Sequence, residues 1–600
     1  MIVRPSISSD SERSSATAIL DIVTSDGLMR PLSNFPKVAR SMFASEANSS
    51  CDRSAASLSA RRRLPKSVWM VTGTAIRMHP NRPDRPRDVY PRYIDFVQRM
   101  LHGRRMAGTF ITGSMLHDLI RCDRRVALDV HGDASARDEV NEFVELLWEG
   151  GVEHEEAVLA EMLAASPGAV DLRYAAPGSR QALTLIAMDA KAPLIVAGEI
   201  SEADLLGRPD LIRRDGDGYV AGDIKLGAAE DGQPGAPQLR FGVQVCLYAD
   251  ILKRMDRLSR PFGFVIDGNG DELGFALDVH LGGSRGSLVD RYDRALEHAR
   301  DVVDDTVLTL SIQAAECKLC RWYSECKADV LARDDLTRIP QLGRTLRDAL
   351  MRTFPTVAAL ADADVEMHVD GRKTVFPGLG AERLRRFQDR ARLLSTSGAT
   401  PYARQRLSLP PHGRELLFDI ETDPMADHCY LHGIVERWTD GSGRPAEYHA
   451  FISSGPDDEV RAFVEALEFL EADPSASIIY WSKYERTIYR SLAAKYPETD
   501  TVDRVDALFS SARCVDLLYD VVAPHTDWPC HDYSVKTLAV HCGFAWRDTK
   551  PSGAASIRWY RDWQRSGDDR IRTRILEYNE DDNWAVAAVL DILRWLPVRA

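Results

Sequence analysis

Two aspartates and a lysine lie close together in the segment 207–227. Residues 215–218 form a polar turn between two short runs of strand composition, which predicts a hairpin. Asp210 falls on its first strand, and Asp223 and Lys225 lie two residues apart on the second, so these side chains leave one face of the sheet. Carboxylates that bind Mg²⁺ or Mn²⁺, beside a lysine that orients water or stabilises a phosphorane, suit phosphodiester hydrolysis. A surface hairpin with an acidic turn is the alternative for this motif alone.

A second set of acidic residues lies in the last third of the chain. Asp419 and Glu421 end an apolar run and share a strand face, and Glu485 falls in the first turns of a predicted helix. Tyr578 and Asp582 are four residues apart on one face of a predicted amphipathic helix. Acids on a strand and two helices could share two cations about 4 Å apart, as in two-metal exonucleases.

Three cysteines, Cys317, Cys320 and Cys326, form the pattern C-x-x-C-x5-C. A metal centre held by three thiolates needs a fourth ligand, and Cys122 is the predicted partner. Zinc would accept the same four sulfur atoms, and inert buried thiols are the remaining alternative. Ten cysteines at uneven spacing indicate a reducing compartment with a metal or cluster site rather than a disulfide framework.

The elements that carry these residues are predicted to form an α/β multidomain protein, since 600 residues suffice for roughly three or four domains. Residues 1–105 have weak periodicity and many Ser, Pro and Arg, which predicts a disordered or loosely attached extension. A regular pattern begins near Met106, and we hypothesise that the natural product begins there. The predicted units after it are a domain over 106–335, a helical element over 336–400, a linker at 401–411 and a domain over 412–600.

Two predicted helices bring further polar side chains to the first domain. The stretch 139–163 is helical, broken or bent at a pair of glycines, and carries His154 just after them. The stretch 238–255 places Gln244 and Tyr248 four residues apart on one face. All three side chains would also suit ordinary structural positions.

The helical element contains two glycine-bearing turns, at 339–346 and 376–384, each before an amphipathic helix. This arrangement resembles a pair of helix-hairpin-helix units, whose turn amides contact a DNA phosphate without reading bases. The candidate contacts are Gly378, Gly380 and Arg383, whereas Gln341 replaces the usual glycine in the first copy. The second helix carries four more arginines, which form either a positive face for DNA or a solvated charged helix.

The net charge of −14 excludes a protein that coats nucleic acid by bulk positive charge, but not an enzyme with a local metal site. No apolar run approaches 18 residues, and no basic segment followed by an apolar core begins the chain. We therefore expect a cytoplasmic protein with no membrane partner. No G-x-x-x-x-G-K-[ST] sequence is present, so strand separation would need a helicase partner.

The order of these motifs over residues 106–335 resembles RecB-like nucleases of the PD-(D/E)xK superfamily. The likeness is greatest to the iron–sulfur branch that includes the CRISPR-associated RecB-type exonucleases and the AddB nuclease domain. It implies a restriction-endonuclease-like fold in which His154, Asp210 and Asp223 bind the divalent metal and Lys225 is the catalytic lysine. It further implies that Gln244 and Tyr248 support substrate binding, and that a [4Fe-4S] cluster is held by Cys122, Cys317, Cys320 and Cys326.

Residues 412–600 resemble the RNase H-like exonucleases of the DEDD type, particularly the YprB-like group. The resemblance implies two Mg²⁺ or Mn²⁺ ions bound by Asp419, Glu421, Glu485 and Asp582, with Tyr578 positioning the attacking water. Glu485 replaces the usual Asp, and Trp481 stands where Asn is common. A degenerate fold that binds nucleic acid without cutting it is the alternative.

Together these features predict a metal-dependent exonuclease acting on DNA that is single-stranded or has an end, with RNA not excluded. The expected setting is DNA repair or processing, with a helicase or another repair protein as partner. The products implied by the resemblance are a 3′-hydroxyl and a 5′-phosphate. The alternatives are a non-catalytic scaffold on nucleic acid, a redox sensor that uses the cluster, or a nuclease in which only one of the two folds is active.

Overall fold

The computed structural model describes residues 109–176, 178–227, 229–230, 238–280, 286–549 and 552–599. The predictions for the extension over residues 1–105, and for a start at Met106, lie outside the described residues. The described chain is mixed α/β, as the sequence predicts. It folds as an N-terminal domain (109–335), a helical element (336–400) and a C-terminal domain (401–599), each with its own apolar core.

The N-terminal domain is built on a mixed sheet of six strands, in the order β2-β3-β6-β7-β8-β9, and a small sheet in the order β1-β5-β4. Its strands are β1 (Ile111–Thr112), β2 (Val170–Asp171), β3 (Leu194–Val196), β4 (Ile200–Glu202), β5 (Leu205–Gly207), β6 (Leu211–Asp215), β7 (Gly218–Ile224), β8 (Leu258–Ile266) and β9 (Glu272–Ala276). Its helices are α1 (Gly113–Arg121), α2 (Asp123–His131), α3 (Glu142–Ala165), α4 (Arg180–Asp189), α5 (Leu239–Arg254), α6 (Leu288–Val303) and α7 (Tyr323–Ala332).

The predicted hairpin is the pair β6–β7 at the middle of the six-stranded sheet. Gly216 in its turn has a φ of 61°, a left-handed conformation that glycine adopts without strain. Every residue of β7 is buried, and alternate side chains face different cores: Tyr219 and Ala221 enter one, Val220 and Ile224 the other. A charged residue on this strand therefore lies between two packed layers.

The helical element consists of α8 (Arg344–Leu350), α9 (Val357–Asp362), a short hairpin and α10 (Ala381–Ser395), packed around one apolar cluster. The hairpin strands are β10 (Val369–Asp370) and β11 (Lys373–Thr374). An ion pair of 2.8 Å between Arg344 and Asp123 joins the element to the N-terminal domain.

The C-terminal domain contains a five-stranded sheet in the order β15-β14-β13-β16-β17. Its strands are β12 (Tyr402–Ala403), β13 (Arg414–Asp423), β14 (His428–Trp438), β15 (Glu447–Ile452), β16 (Ser477–Tyr480), β17 (Cys514–Asp516) and β18 (Thr526–Asp527). Its helices are α11 (Glu459–Glu471), α12 (Tyr484–Lys495), α13 (Val502–Ser510), α14 (Ala523–His525), α15 (Val535–His541), α16 (Gly553–Ser566) and α17 (Asp569–Leu593). The segment predicted as a linker, 401–411, begins with β12, which pairs with β18 and is therefore part of this domain.

Helix α3 joins the two large domains. Its Phe143 and Leu146 pack into an apolar cluster with Tyr430 of β14 and Ile557 of α16. Arg558 of α16 also forms an ion pair of 2.7 Å with the α3 carboxylate at position 145. No helix within the described residues is long and apolar enough to cross a membrane.

Candidate active sites

The hairpin β6–β7 brings Asp210, Asp223 and Lys225 together at one end of the sheet. Asp210 lies just before β6 and Lys225 just after β7. The amide of Ile224 donates to Asp210 Oδ2 at 2.7 Å, and the amide of Asp210 lies 3.4 Å from Asp223 Oδ1. Lys225 Nζ lies 3.0 Å from Asp223 Oδ2. The structure therefore brings these three residues together, and their polar atoms are joined by hydrogen bonds and an ion pair.

The charges of this group are set by burial and by one another. Burial, and next the neighbouring Asp223, raise the pKa of Asp210 to about 8. Burial by itself would lower the pKa of Lys225, but the carboxylates of Asp223 and Asp210 outweigh it, so the net pKa is raised. Lys225 therefore stays charged, while Asp210 holds a proton near neutral pH unless a cation replaces it.

His154 and Glu155 follow each other on α3 but lie in different surroundings. His154 Nε2 is 3.0 Å from the backbone oxygen of Asp267, and burial lowers the pKa of this imidazole. Among the described residues, His154 does not join the two aspartates in a group whose ligand atoms all lie within 4.8 Å. Glu155, by contrast, interacts electrostatically with Asp223 and Lys225, although burial is the main reason its pKa is raised. Glu155 was not predicted from the sequence. The one feature that could have indicated it is its position next to His154 on α3.

Gln244 and Tyr248 lie beneath Asp223. Both side chains are buried on α5. Gln244 Nε2 donates to the Tyr248 hydroxyl at 2.9 Å, and that hydroxyl donates to Asp223 Oδ2 at 3.3 Å. A Cβ on Gly113 would lie 2.9 Å from Gln244 Cγ and 3.1 Å from the Tyr248 oxygen, so packing also fixes both side chains. These contacts orient Asp223, whereas the resemblance implies that both residues support substrate binding.

A second acidic group lies at the end of β13 and on α17. Asp419, Glu421 and Asp582 each offer a carboxylate oxygen, and these oxygens all lie within 4.8 Å of one another. Trp546 Nε1 donates to Asp582 Oδ1 at 2.7 Å, and the Tyr430 hydroxyl lies 3.4 Å from Glu421 Oε2. Three carboxylates this close repel one another, and a divalent cation with oxygen ligands would fit among them.

Burial is the main cause that raises the pKa of all three carboxyl groups. Asp582 is the next cause for Glu421, whose pKa rises to about 8, and for Asp419, whose pKa lies well above its usual range. Glu485, on the first turn of α12, also acts electrostatically on Asp419, and burial raises the pKa of Glu485 itself to about 8. Glu485 Oε2 is buried without a hydrogen-bond partner in the described part of the chain. An orphaned buried carboxylate oxygen of this kind fits a cation ligand.

Two residues of this site were missed by the sequence analysis. Asn579 Nδ2 donates to Asp419 Oδ2 at 2.7 Å, so Asn579 orients the first carboxylate. It approaches the sheet at Gly433, where a Cβ would lie 1.6 Å from Asn579 Oδ1. The second is Lys536 on α15, whose Nζ donates to the Tyr578 hydroxyl at 3.1 Å. The position of Asn579 next to Tyr578 in the sequence could have indicated Asn579, whereas no spacing in the sequence indicates Lys536.

Comparison with models of protein families matches residues 86–327 to the PD-(D/E)XK nuclease superfamily and residues 416–594 to the RNase H superfamily. The chain joins a PD-(D/E)XK nuclease superfamily domain to an RNase H superfamily domain. Both resemblances drawn from the motifs are thus confirmed at the superfamily level. The first match begins at residue 86, inside the segment predicted as an extension, so that boundary stays a prediction. No curated protein matches the chain significantly.

The four predicted cluster cysteines of the PD-(D/E)XK domain come from two places in the fold. Cys122 separates α1 from α2, and the other three lie in and before α7. Burial is the main cause that raises the pKa of Cys317, to about 12, and those of Cys320 and Cys326, and each of these thiols also interacts electrostatically with Cys122. The structure therefore brings the four sulfur atoms into one neighbourhood.

The turns of the helical element share one backbone feature. Gln341 and Gly378 have φ values of 66° and 75°, so both turns use a left-handed residue at the same place in the repeated sequence. A Cβ on Gly378 would meet no described atom within 4 Å. Gly380 is the N-cap of α10, and Arg383 on that helix donates to the Gln341 carbonyl at 3.2 Å.

The remaining arginines of α10 do not form a free positive face. Arg385 pairs with Glu366 at 2.7 Å, and Arg392 donates to the carbonyl of residue 361 at 3.1 Å. Arg386 and Arg390 both contact Asp527 of the RNase H domain, at 3.4 and 2.7 Å. Arg386 and Arg390 therefore dock the element onto its neighbour, whereas Arg385 and Arg392 have their partners within the element.

Proposed function

We propose that this protein is a metal-dependent nuclease that hydrolyses phosphodiester bonds of DNA through both of its superfamily domains. The observation that carries the proposal is the group Asp419, Glu421 and Asp582, whose oxygens lie within 4.8 Å of one another at the centre of an RNase H fold. Asp210, Asp223 and Lys225 supply a second group of the type that metal-dependent hydrolysis needs.

We assign each residue a role from the resemblance and from its contacts. Asp419, Glu421, Asp582 and Glu485 would hold divalent cations in the RNase H domain, and Asp210 and Asp223 would hold one in the PD-(D/E)XK domain. A bound Mg²⁺ or Mn²⁺ would activate water and neutralise charge on the phosphate. Tyr578 would orient the water, and the Lys225 ammonium would stabilise negative charge developing on the phosphoryl oxygens. We retain His154 as a further ligand through its other nitrogen, with Gln244 and Tyr248 as supports of Asp223.

We further propose that Cys122, Cys317, Cys320 and Cys326 hold a [4Fe-4S] cluster, with zinc as the alternative. In zinc sites the metal–sulfur distance of about 2.3 Å places sulfur atoms about 3.8 Å apart. Within the described residues no three of these sulfurs lie within 4.8 Å of one another, which favours a group larger than a single ion. Arg124, Arg125 and Arg344 face the thiols and would offset the negative charge of a cluster.

DNA with a single-stranded region or an end is the proposed substrate, and repair or processing the proposed setting. The two left-handed turns of the helical element support this, because such turns present backbone amides to a phosphate. Gly378, Gly380 and Arg383 would make this contact. A helicase partner would supply unwinding.

A binding fold without catalysis is the second candidate for the RNase H domain. It is favoured by one observation: Glu485 does not belong to the group of carboxylates within 4.8 Å. In that case the PD-(D/E)XK domain alone would cut.

The test is degradation of end-labelled single-stranded DNA, duplex DNA and RNA by protein purified without oxygen. We expect cutting of single-stranded DNA with Mn²⁺ or Mg²⁺ and none with EDTA. Cutting of RNA alone would change the proposed substrate, and no cutting of any substrate with either metal would refute the nuclease. Iron content and absorbance near about 400 nm in the same preparation test the cluster.

A further inference from the structure

Lys536 is a cation at the RNase H site that the superfamily motifs do not include. It is the second residue of α15, which Ser534 caps. Its Nζ donates to the Tyr578 hydroxyl at 3.1 Å and lies 5.2 Å from the centroid of the Tyr578 ring. The ring of Trp546 lies 5.9 Å away. Both rings attract the ammonium group, so these aromatic contacts and the hydrogen bond to Tyr578 help to hold its position.

The same two aromatic residues are connected to Asp582. Trp546 donates to its Oδ1 at 2.7 Å, and Tyr578 precedes it by one turn of α17. The positive charge of Lys536 also acts on all three carboxyl groups, opposing the rise in the pKa of Asp419, Glu421 and Asp582 that burial causes. Lys536 thus contacts Tyr578 and Trp546, the two aromatic residues that are connected to Asp582.

We propose that Lys536 is a positioning residue of the RNase H site, which fixes the Tyr578 hydroxyl and offsets the repulsion among the carboxylates until a metal ion binds. The inference rests on the proposed function for the role of Tyr578 in the reaction. Its electrostatic part rests on the position of this lysine beside Tyr578 and on the effect of its charge on the three carboxyl groups. An ammonium group that offsets carboxylate repulsion also competes with the metal ion. Removal of this charge therefore has opposite effects on metal affinity and on turnover.

The experiment is titration of Mn²⁺ into the full chain by calorimetry, in an Asp223→Asn background that disables the other site. Lys536→Met is expected to tighten Mn²⁺ binding by up to roughly tenfold, because it removes the Coulomb repulsion between one positive charge and a divalent ion. In the otherwise unmodified chain, the same change should slow the cutting assigned to the RNase H domain by at least about tenfold, since Tyr578 loses its hydrogen bond. A structural defect caused by the substitution would weaken Mn²⁺ binding and also slow cutting.

Two variants complete the test. Lys536→Arg keeps the charge, so its Mn²⁺ affinity should stay within about twofold of the parent. Lys495→Met removes another lysine of this domain, which pairs with Glu459 at 2.6 Å, and should leave Mn²⁺ affinity unchanged.

Unchanged or weaker Mn²⁺ binding by Lys536→Met overturns the inference, as does equal tightening by Lys495→Met. The titration needs no nuclease activity. Its failure is therefore distinct from failure of the proposed function, which would appear as a wild-type protein that binds Mn²⁺ and cuts nothing.

Discussion

Single carboxyl groups in both domains are placed where their charged forms are disfavoured. Burial raises the pKa of Asp210, Glu421 and Glu485 to about 8 in each case, and neighbouring carboxylates add to the effect. These groups retain protons near neutral pH in the metal-free protein. Metal binding must then release protons, so affinity for Mg²⁺ or Mn²⁺ should increase with pH.

The first prediction concerns the stability of the metal-free protein. The ordinary pKa values are 3.8 for Asp210 and 4.5 for Glu421, against about 8 in the folded state. Between about pH 4 and 8, the folded protein therefore holds protons that the unfolded chain releases. The stability that these protonated groups give to the folded state is complete below about pH 4 and is lost as pH rises through about 8. We expect the unfolding temperature in EDTA to fall over this range, and to fall less with Mn²⁺. The double variant D210N/E421Q should flatten the profile, and a flat wild-type profile in EDTA would contradict the burial of these groups.

The motifs identified most of these residues, because spacing along a strand or helix decides which side chains share a face. Asp223 and Lys225, or Tyr578 and Asp582, are of this kind. Spacing could not identify residues whose role depends on a contact with a residue far away in the sequence. Asn579 reaches Asp419 only because Gly433 leaves room for it, and that contact spans 160 residues.

Helix α3 is the element on which sequence and structure differ most. The sequence predicts a break or bend at its paired glycines, yet the helix continues through them to Ala165. A Cβ on Gly150 would lie 3.1 Å from Met425 Sδ and 3.6 Å from Leu226 Cδ2. Gly150 therefore lies close against Met425 of the RNase H domain, where a larger side chain would have to displace the methionine. From the sequence alone, a glycine that bends a helix could not be distinguished from a glycine that permits close packing.

The second prediction compares the two glycines of α3. Gly150→Leu should destabilise the protein by about 1–3 kcal/mol, because the side chain must displace Met425. Gly151→Leu should be neutral or stabilising by up to roughly 1 kcal/mol, since leucine favours helix and no described atom lies within 4 Å of its Cβ position. Urea unfolding of both variants checks this. Equal stability of the two variants would contradict the close packing of Gly150 against Met425.

At the scale of the whole molecule, a buried carboxylate helps to join the helical element to the RNase H domain. Asp527 is fully buried and contacts Arg386, Arg390 and Arg404. From the sequence, the arginines of α10 form either a positive face for DNA or a solvated charged helix. Neither alternative includes the contact with Asp527, because this partner lies 137 residues from Arg390 and no local pattern indicates it. Domain identities were predictable from ordered motifs, whereas the contacts between domains were not.

The third prediction follows from that buried contact. Asp527→Asn leaves the guanidinium groups without their counter-charge, and we expect a loss of about 3–5 kcal/mol in the free energy of unfolding. Arg385 lies on the same helix as Arg390 and forms an exposed pair with Glu366, so Arg385→Ala should cause no measurable change. Guanidinium unfolding monitored by tryptophan fluorescence distinguishes the two. A small effect of Asp527→Asn would show that the element is held by other contacts.

The most direct test of two separate nuclease centres is digestion of end-labelled single-stranded DNA with Mn²⁺ by four proteins. These are the wild type, Lys225→Ala, Asp419→Ala and the double variant. Each single variant should lose the products of one domain and keep those of the other, and the double variant should be slower than wild type by at least about a hundredfold. Wild-type cutting by the double variant would contradict both assignments.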